Sequence, residues 1–342
     1  MTSPALPALP DWRAVADGAL EATVVGSFTK LGLSARRAMG PWEDLDAVSL
    51  SERTVLITGA TSGLGLAAAH RIARMGASLR IVGRNPEKTI AARDALRVES
   101  GNPDVEHYIA DLADLAKVRD LAAAVLVRER RLDALVHNAG GLLATRTFSP
   151  QGHELSYASM VLGPALLTDL LLPLLTETAA PDADPSRPAR VILVSSGGMY
   201  TQRLDVDDPE SEHGYRGSVA YAKAKRAQVV LAEEWGERWR DRGIVVHAMH
   251  PGWAATPGVH ASLPTFEKVM GPLLRSADEG ADTIVWLVAS DEPAATPGRV
   301  WPDRKPRSPY HVPRTRETPG DRERLEANVD AAIAPFRLPS VG

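Results

Sequence analysis

The sequence predicts an α/β protein built on a doubly wound parallel sheet with helices on both faces, a helical extension before it and a tail after it. Three observations carry that expectation. From Arg53 onward, short apolar runs alternate with amphipathic stretches at the spacing of βαβ units. The first run leads into a glycine-rich turn that opens a helix. Hydrophobic residues make up 44% of the 342, enough for a large core.

The elements follow in order. Residues 12–38 have helical spacing, with Leu20, Val24, Val25, Phe28 and Leu31 near one face, and Gly40-Pro41 ends the segment. A helix laid on the outside of the main domain is expected, with a membrane-surface or dimer helix as the alternative. Strands are expected at 54–58, 79–82, 105–110, 132–136, 191–194 and 244–249, with helices at 65–75, 86–98 and 115–128 among those between them. Residues 181–188, acidic and proline-rich, are expected as an exposed loop. The Pro/Arg-rich stretch 302–319 is expected to wrap the surface with its basic residues solvated, followed by a helix at 321–333. The chain therefore divides into an extension at 1–50, the sheet domain at 51–301 and a tail at 302–342.

Composition narrows the function. A formal net charge of −4 gives no electrostatic reason to expect a nucleic acid or an anionic membrane as partner. The absence of cysteine excludes disulfides, thiolate metal sites and a cysteine nucleophile, and fits a reducing compartment such as the cytoplasm. The first residues carry Pro4, Pro7 and Pro10 and no basic start, unlike a signal peptide. The most apolar stretch, 161–175, is interrupted by Pro164, Asp169 and Pro173, and is expected as a buried helix rather than a transmembrane segment. No metal-ligand set stands out.

The first strand runs into Thr58-Gly-Ala-Thr-Ser-Gly-Leu-Gly65. Gly59, Gly63 and Gly65 let the backbone turn tightly, and with Thr61, Ser62 and Leu64 they bring free N–H groups of a helix N-terminus toward a pyrophosphate. The spacing is G-x-x-x-G-x-G rather than G-x-G-x-x-G, so the strand before it and the helix after it are what favour a Rossmann-type nucleotide site over a plain turn. The second strand ends in Ile81-Val-Gly-Arg-Asn85, with no carboxylate for a ribose 2′-hydroxyl. Arg84 instead suits a 2′-phosphate, so NADP(H) is expected in preference to NAD(H). Tyr221-Ala-Lys-Ala-Lys225 places a phenol and an ammonium on one helix face. A nearby cation favours phenolate, and a tyrosine so tuned serves as an acid/base.

These motifs occur in one order along the chain, together with Asp111-Leu112, Asn138-Ala139-Gly140, Ser195-Ser196, and Pro251-Gly252 with Thr256. In this set the sequence resembles the short-chain dehydrogenase/reductase family over residues 53–301, and the segments 194–200, 250–258 and 303–306 look like one branch within it. The resemblance implies an oxidoreductase moving hydride between nicotinamide and a carbonyl or alcohol. It implies Tyr221 as general acid in reduction, Lys225 as its tuner and a holder of the nicotinamide ribose, and Ser196 as hydrogen-bond donor to the carbonyl oxygen. Ser195 is the weaker candidate, because adjacent strand residues face opposite ways. Asp111, with Leu112 beside it, would contact the adenine; Asn138, Ala139 and Gly140 would border the cofactor, as would Pro251 and Gly252, where turn making is the alternative; and Thr256 would hold the carboxamide. One departure stands out. The family usually has an asparagine on the helix after Asn-Ala-Gly, and here Met160 aligns there, or Ser159 after a one-residue slip. A methionine cannot hydrogen-bond a relay water as an amide would.

The partner expected is a small-molecule carbonyl or alcohol. Val259, Leu263, Phe266, Val269, Met270, Leu273 and Leu274 fall where the resemblance places a substrate lid, so a lipophilic substrate is expected if part of that surface lines the cleft rather than packing a helix. Two readings compete: an NADP(H)-binding regulator with little turnover, which Met160 favours and intact Ser196, Tyr221 and Lys225 oppose, and a membrane-attached lipid enzyme using the N-terminal helix. Subunit number stays open, a homo-oligomer being compatible.

Overall fold

The computed structural model describes residues 11–180, 187–262 and 264–338. The loop expected at 181–188 and the leading prolines thus lie largely outside the described residues. Seven strands form a single sheet: β1 Thr54–Thr58, β2 Ser78–Gly83, β3 Val105–Ile109, β4 Ala134–His137, β5 Ala189–Val194, β6 Ile244–Met249 and β7 Arg299–Trp301. Their order is β3-β2-β1-β4-β5-β6-β7, and every pairing is parallel. The order reverses between β1 and β4, which opens a crevice at the carboxyl ends of these strands.

Both faces of the sheet are buried, as a parallel sheet requires. Alternate residues of one strand therefore enter different cores: Leu56 faces one, while Val55 and Ile57 face the other. The first core takes α6 Leu115–Arg128, α7 Leu155–Thr178 and α8 Gly217–Arg238. The second takes α4 Gly63–Arg74, α5 Pro86–Ser100 and α11 Ala277–Ala289. Two short helices, α9 Pro257–Ser262 and α10 Pro264–Met270, precede α11, and α12 Pro319–Ile333 packs Leu325, Val329 and Ile333 into the first core. β7, three residues long, has no counterpart in the sequence reading.

The apolar stretch expected at 161–175 belongs to a longer element. α7 runs unbroken past Pro164 and Pro173, with a π-turn at Ala158–Leu162. An interior proline removes one backbone hydrogen bond and costs about 3 kcal/mol, which the burial of Leu166, Leu167, Leu170, Leu171, Leu174 and Leu175 offsets. By length and composition α7 matches a membrane span, contrary to expectation, yet 78% of its apolar window is buried inside the fold.

The N-terminal segment is three helices rather than one: α1 Trp12–Glu21, α2 Val24–Phe28 and α3 Lys30–Met39. Thr23 breaks the first, capping α2 through its hydroxyl to the Gly26 N–H at 2.9 Å. The break divides the expected apolar face, leaving Val24, Val25 and Leu31 exposed and Phe28 buried. The tail also departs from expectation. Arg304 and Arg307 are buried and paired, Arg304 with Asp282 at 2.7 Å and Arg307 with Asp17 at 2.6 Å. They serve as ties between tail and body because Asp17 and Asp282 supply buried carboxylates that a solvated arginine would lack.

Candidate active site

The crevice begins at the glycine loop. Gly59 and Gly63 have φ of +69° and +55°, a region that favours glycine. A Cβ on Gly65 would fall 2.4 Å from the Gly59 carbonyl oxygen and 2.3 Å from Asn138 Nδ2, so α4 starts in close contact with the turn. Ser62 stands at the N-cap of α4 but its side chain makes no capping bond, leaving the first-turn N–H groups to meet an anion. Asn138 braces the turn: its Nδ2 donates to the carbonyls of Thr58 at 3.0 Å and Gly59 at 3.1 Å. The Thr58 hydroxyl accepts from the N–H groups of Asn138 and Ala139, both at 3.1 Å. Thr256 lies opposite, its Cβ 3.4 Å from where a Gly63 Cβ would be.

Arg84 is exposed at the end of β2, and Thr61 packs against Gly83 beside it. Asp111 is exposed at the end of β3, where its carboxylate accepts from the Ala113 N–H at 3.0 Å. Leu112 is buried, its carbonyl pressed against Gly163 of α7. Leu64 and Pro251 meet across Gly280, and Gly252, with φ of +72°, packs on the Arg275 guanidinium.

At the end of β5 the two serines part as the strand alternation requires. Ser195 is buried and donates to the Lys225 carbonyl at 2.9 Å. Ser196 turns to the crevice beside the Tyr221 phenol, its oxygen accepting from the Gly198 N–H at 3.2 Å. Burial pushes the Tyr221 phenol up, and the neighbouring Ser196 hydroxyl opposes that only in part. Lys225, one turn along α8, is 3% exposed, and burial lowers its ammonium to about 7. Its Nζ stands 5.6 Å from the centre of the Tyr221 ring and donates to the Val194 carbonyl at 2.7 Å. The protein's own groups thus keep the phenol protonated at neutral pH, and the downward shift expected from Lys225 is not produced by the polypeptide alone.

The helix register puts Met160, not Ser159, at the site. The Met160 sulfur lies 2.8 Å from where a Gly140 Cβ would be, whereas the Ser159 hydroxyl donates back to the Leu155 carbonyl at 2.7 Å. Two neighbours went unread in the sequence. Gln228, fully buried, accepts from Lys225 Nζ at 3.1 Å and donates from Nε2 to the Met160 carbonyl at 2.8 Å. Its i+3 spacing from Lys225 was the available signal. Phe28, from the N-terminal extension, stacks on Trp253 at 5.5 Å and packs against Gly197, next to Ser196. No spacing rule reaches across that sequence distance. Of the expected lid, the side chain of Val259 and residue Leu263 lie outside the described residues. Phe266 meets Trp253 edge-on at 5.1 Å, Leu274 is buried, and Val269 is exposed.

A glycine cradle, an uncapped helix start and a Ser-Tyr-Lys cluster across one crevice fit a nicotinamide dinucleotide. The short chain dehydrogenase profile matches residues 53–265, more than half of the chain. Dehydrogenase/reductase SDR family member 12 of Bos taurus is 38% identical over 87% of this chain and 91% of its own length. Human retinol dehydrogenase 13 is 32% identical over 75% and 78%. A crystal structure of a short chain dehydrogenase from Escherichia coli CFT073 complexed with NADPH superposes with a TM-score of 0.60 at 25% identity, covering 78% of this chain and all of that one. Fold, motif order and these matches agree, and the chain belongs to the short-chain dehydrogenase/reductase family of oxidoreductases.

Proposed function

We propose that the protein is an NADP(H)-dependent oxidoreductase interconverting a lipophilic carbonyl compound and its alcohol, with Tyr221 as the general acid/base. The observation that carries this reading is the grouping of Ser196, Tyr221 and, one turn along the helix, Lys225 at the crevice bordered by the glycine loop, with Lys225 Nζ 5.6 Å from the centre of the Tyr221 ring. Gly59, Gly63 and Gly65 with the start of α4 would take the pyrophosphate, Arg84 the 2′-phosphate, Asp111 the adenine, Asn138 and Gly140 the cofactor's flank, and Thr256 the carboxamide. When bound, the nicotinamide supplies or accepts the hydride. Tyr221 holds a proton at its phenolic oxygen, ready for an alkoxide formed beside it, and the Ser196 hydroxyl donates to the same oxygen as negative charge develops. Lys225 holds the ribose and, when charged, favours release of the phenol proton.

A preference for NADP(H) is supported by Arg84 and the absence of an acid at that strand end. A lipophilic substrate is supported by Phe28 packed on Gly197 next to Ser196 and by the Trp253 and Phe266 rings that continue from it, and retinol dehydrogenase 13 among the relatives agrees with it. The test is NADPH consumption with retinal, long-chain aldehydes and small polar aldehydes, repeated with NADH. Turnover of the apolar aldehydes with NADPH is expected. Tight NADPH binding without turnover on any of them would instead favour a nucleotide-binding regulator.

A further inference from the structure

We infer that Gln228 is a positioning residue for Lys225, its side-chain amide tying the ammonium to the backbone of the helix that carries Met160. This rests on the reading of Lys225 as a holder of the cofactor ribose. The geometry is a continuous chain of three hydrogen bonds. Met160 offers its carbonyl to Gln228 Nε2 at 2.8 Å, Gln228 Oε1 accepts from Lys225 Nζ at 3.1 Å, and Nζ donates onward to the Val194 carbonyl at 2.7 Å. All three side chains are buried, with exposures of 0% for Met160 and Gln228 and 3% for Lys225. A side-chain amide is neutral and can accept from an ammonium and donate to a carbonyl at once. Methionine at 160 can do neither with its side chain, so position 160 contributes its backbone and position 228 its side chain.

The consequence for Lys225 has a definite sign. Burial disfavours its charged form. Two acceptors, the Val194 carbonyl and Gln228 Oε1, oppose that, because a carbonyl dipole bonds an ammonium more strongly than a neutral amine. Tyr221 is the titratable side chain facing Nζ, and no carboxylate or second cation among the described residues shifts it. Taking away Gln228 Oε1 therefore moves the loss of the ammonium to lower pH, while a carboxylate in its place moves it to higher pH.

NADPH titrated into the full chain and followed by nicotinamide fluorescence from pH 6 to 9 tests this without needing a substrate. The parent is expected to bind more weakly as pH rises through the Lys225 transition. Gln228→Met should bring that transition down by about one pH unit, which reads as about tenfold weaker binding above both midpoints. Gln228→Glu should raise the transition, and the double variant Met160→Asn with Gln228→Met should return it toward the parent. A residue that only fills space would move Gln228→Met and Gln228→Glu in the same direction, and the double variant would be worse than either single. Transitions unmoved in Gln228→Met and Gln228→Glu overturn the inference, as does a downward move in Gln228→Glu if Gln228→Met does not fold. Lys225→Met separates the two layers of the argument: if it keeps the parent's NADPH affinity and pH profile, the assignment of Lys225 to the cofactor fails, whatever Gln228 does.

Discussion

Arg275 grips the carboxylate of Asp303 with two hydrogen bonds of 2.6 and 3.0 Å, both side chains 1% exposed. The same guanidinium donates to the carbonyls of Ser27, Thr29 and Pro251, and Asp303 also accepts from Arg36 at 2.6 Å. Extension, tail and the loop after β6 are therefore fastened at one point beside the crevice. Burial raises the Asp303 carboxyl, but Arg275 and Arg36 outweigh it and hold the group below the usual carboxylate range.

Asp303→Ala leaves two buried guanidinium groups without their shared carboxylate. Breaking a buried pair in this way costs about 3–5 kcal/mol. Urea unfolding should show that loss, and limited trypsin digestion should cut within 12–39 sooner than in the parent. An unchanged midpoint would show that the pair contributes nothing net.

Phe28→Ala removes the ring that packs on Gly197 and Trp253. A buried Phe→Ala change costs about 3–5 kcal/mol. If Phe28 shapes the substrate side, KM for an apolar aldehyde should rise several-fold while kcat changes by less than about threefold. A loss in kcat with KM unchanged would mean that the ring supports the Ser196 loop instead.

Three buried histidines make the fold acid-labile. Burial lowers His137 and His250 to about 3 and His247 to about 4, while an unfolded histidine titrates near 6.5. Each stays neutral when folded and takes a proton on unfolding, so the stability is complete above that unfolded value and is lost as pH falls from about 6.5 toward 4. Together they give a slope of up to about 4 kcal/mol per pH unit. The melting temperature should fall clearly between pH 7 and pH 5, and equal values at the two would contradict it.

Arg84→Ala should weaken NADPH binding by about thirtyfold, the scale of a charge-assisted hydrogen bond, and leave NADH nearly unchanged. Parallel titrations of the two cofactors check this. Equal losses for both would assign Arg84 to the shared part of the dinucleotide.

What was legible in the sequence is what is encoded locally. β1, α6 and β6 begin and end where their patterns do, because the two strands are buried runs and α6 is an amphipathic run capped by Asp114. Tyr221 and Lys225 share one helix face at short spacing, and Ser196 follows from strand alternation. The rest depends on partners distant along the chain. β7 is too short to carry a period, and pairs only because β6 offers an edge. α7 survives Pro173 because two layers bury it. Thr23 caps a helix that periodicity alone would have run through. Arg304 and Arg307 read as solvated because the carboxylates that bury them lie elsewhere in the sequence, and Gln228 reads as an ordinary helix residue until Met160 is seen beside it.

Proton transfer by Tyr221 is tested most directly by Tyr221→Phe, with NADPH affinity by fluorescence and NADPH oxidation on an aldehyde that the parent reduces. The change keeps the ring and deletes the phenolic oxygen, so affinity should stay within about twofold of the parent and kcat should fall by about a hundredfold or more, the scale of a general acid. A Tyr221→Phe enzyme with unchanged kcat would contradict it.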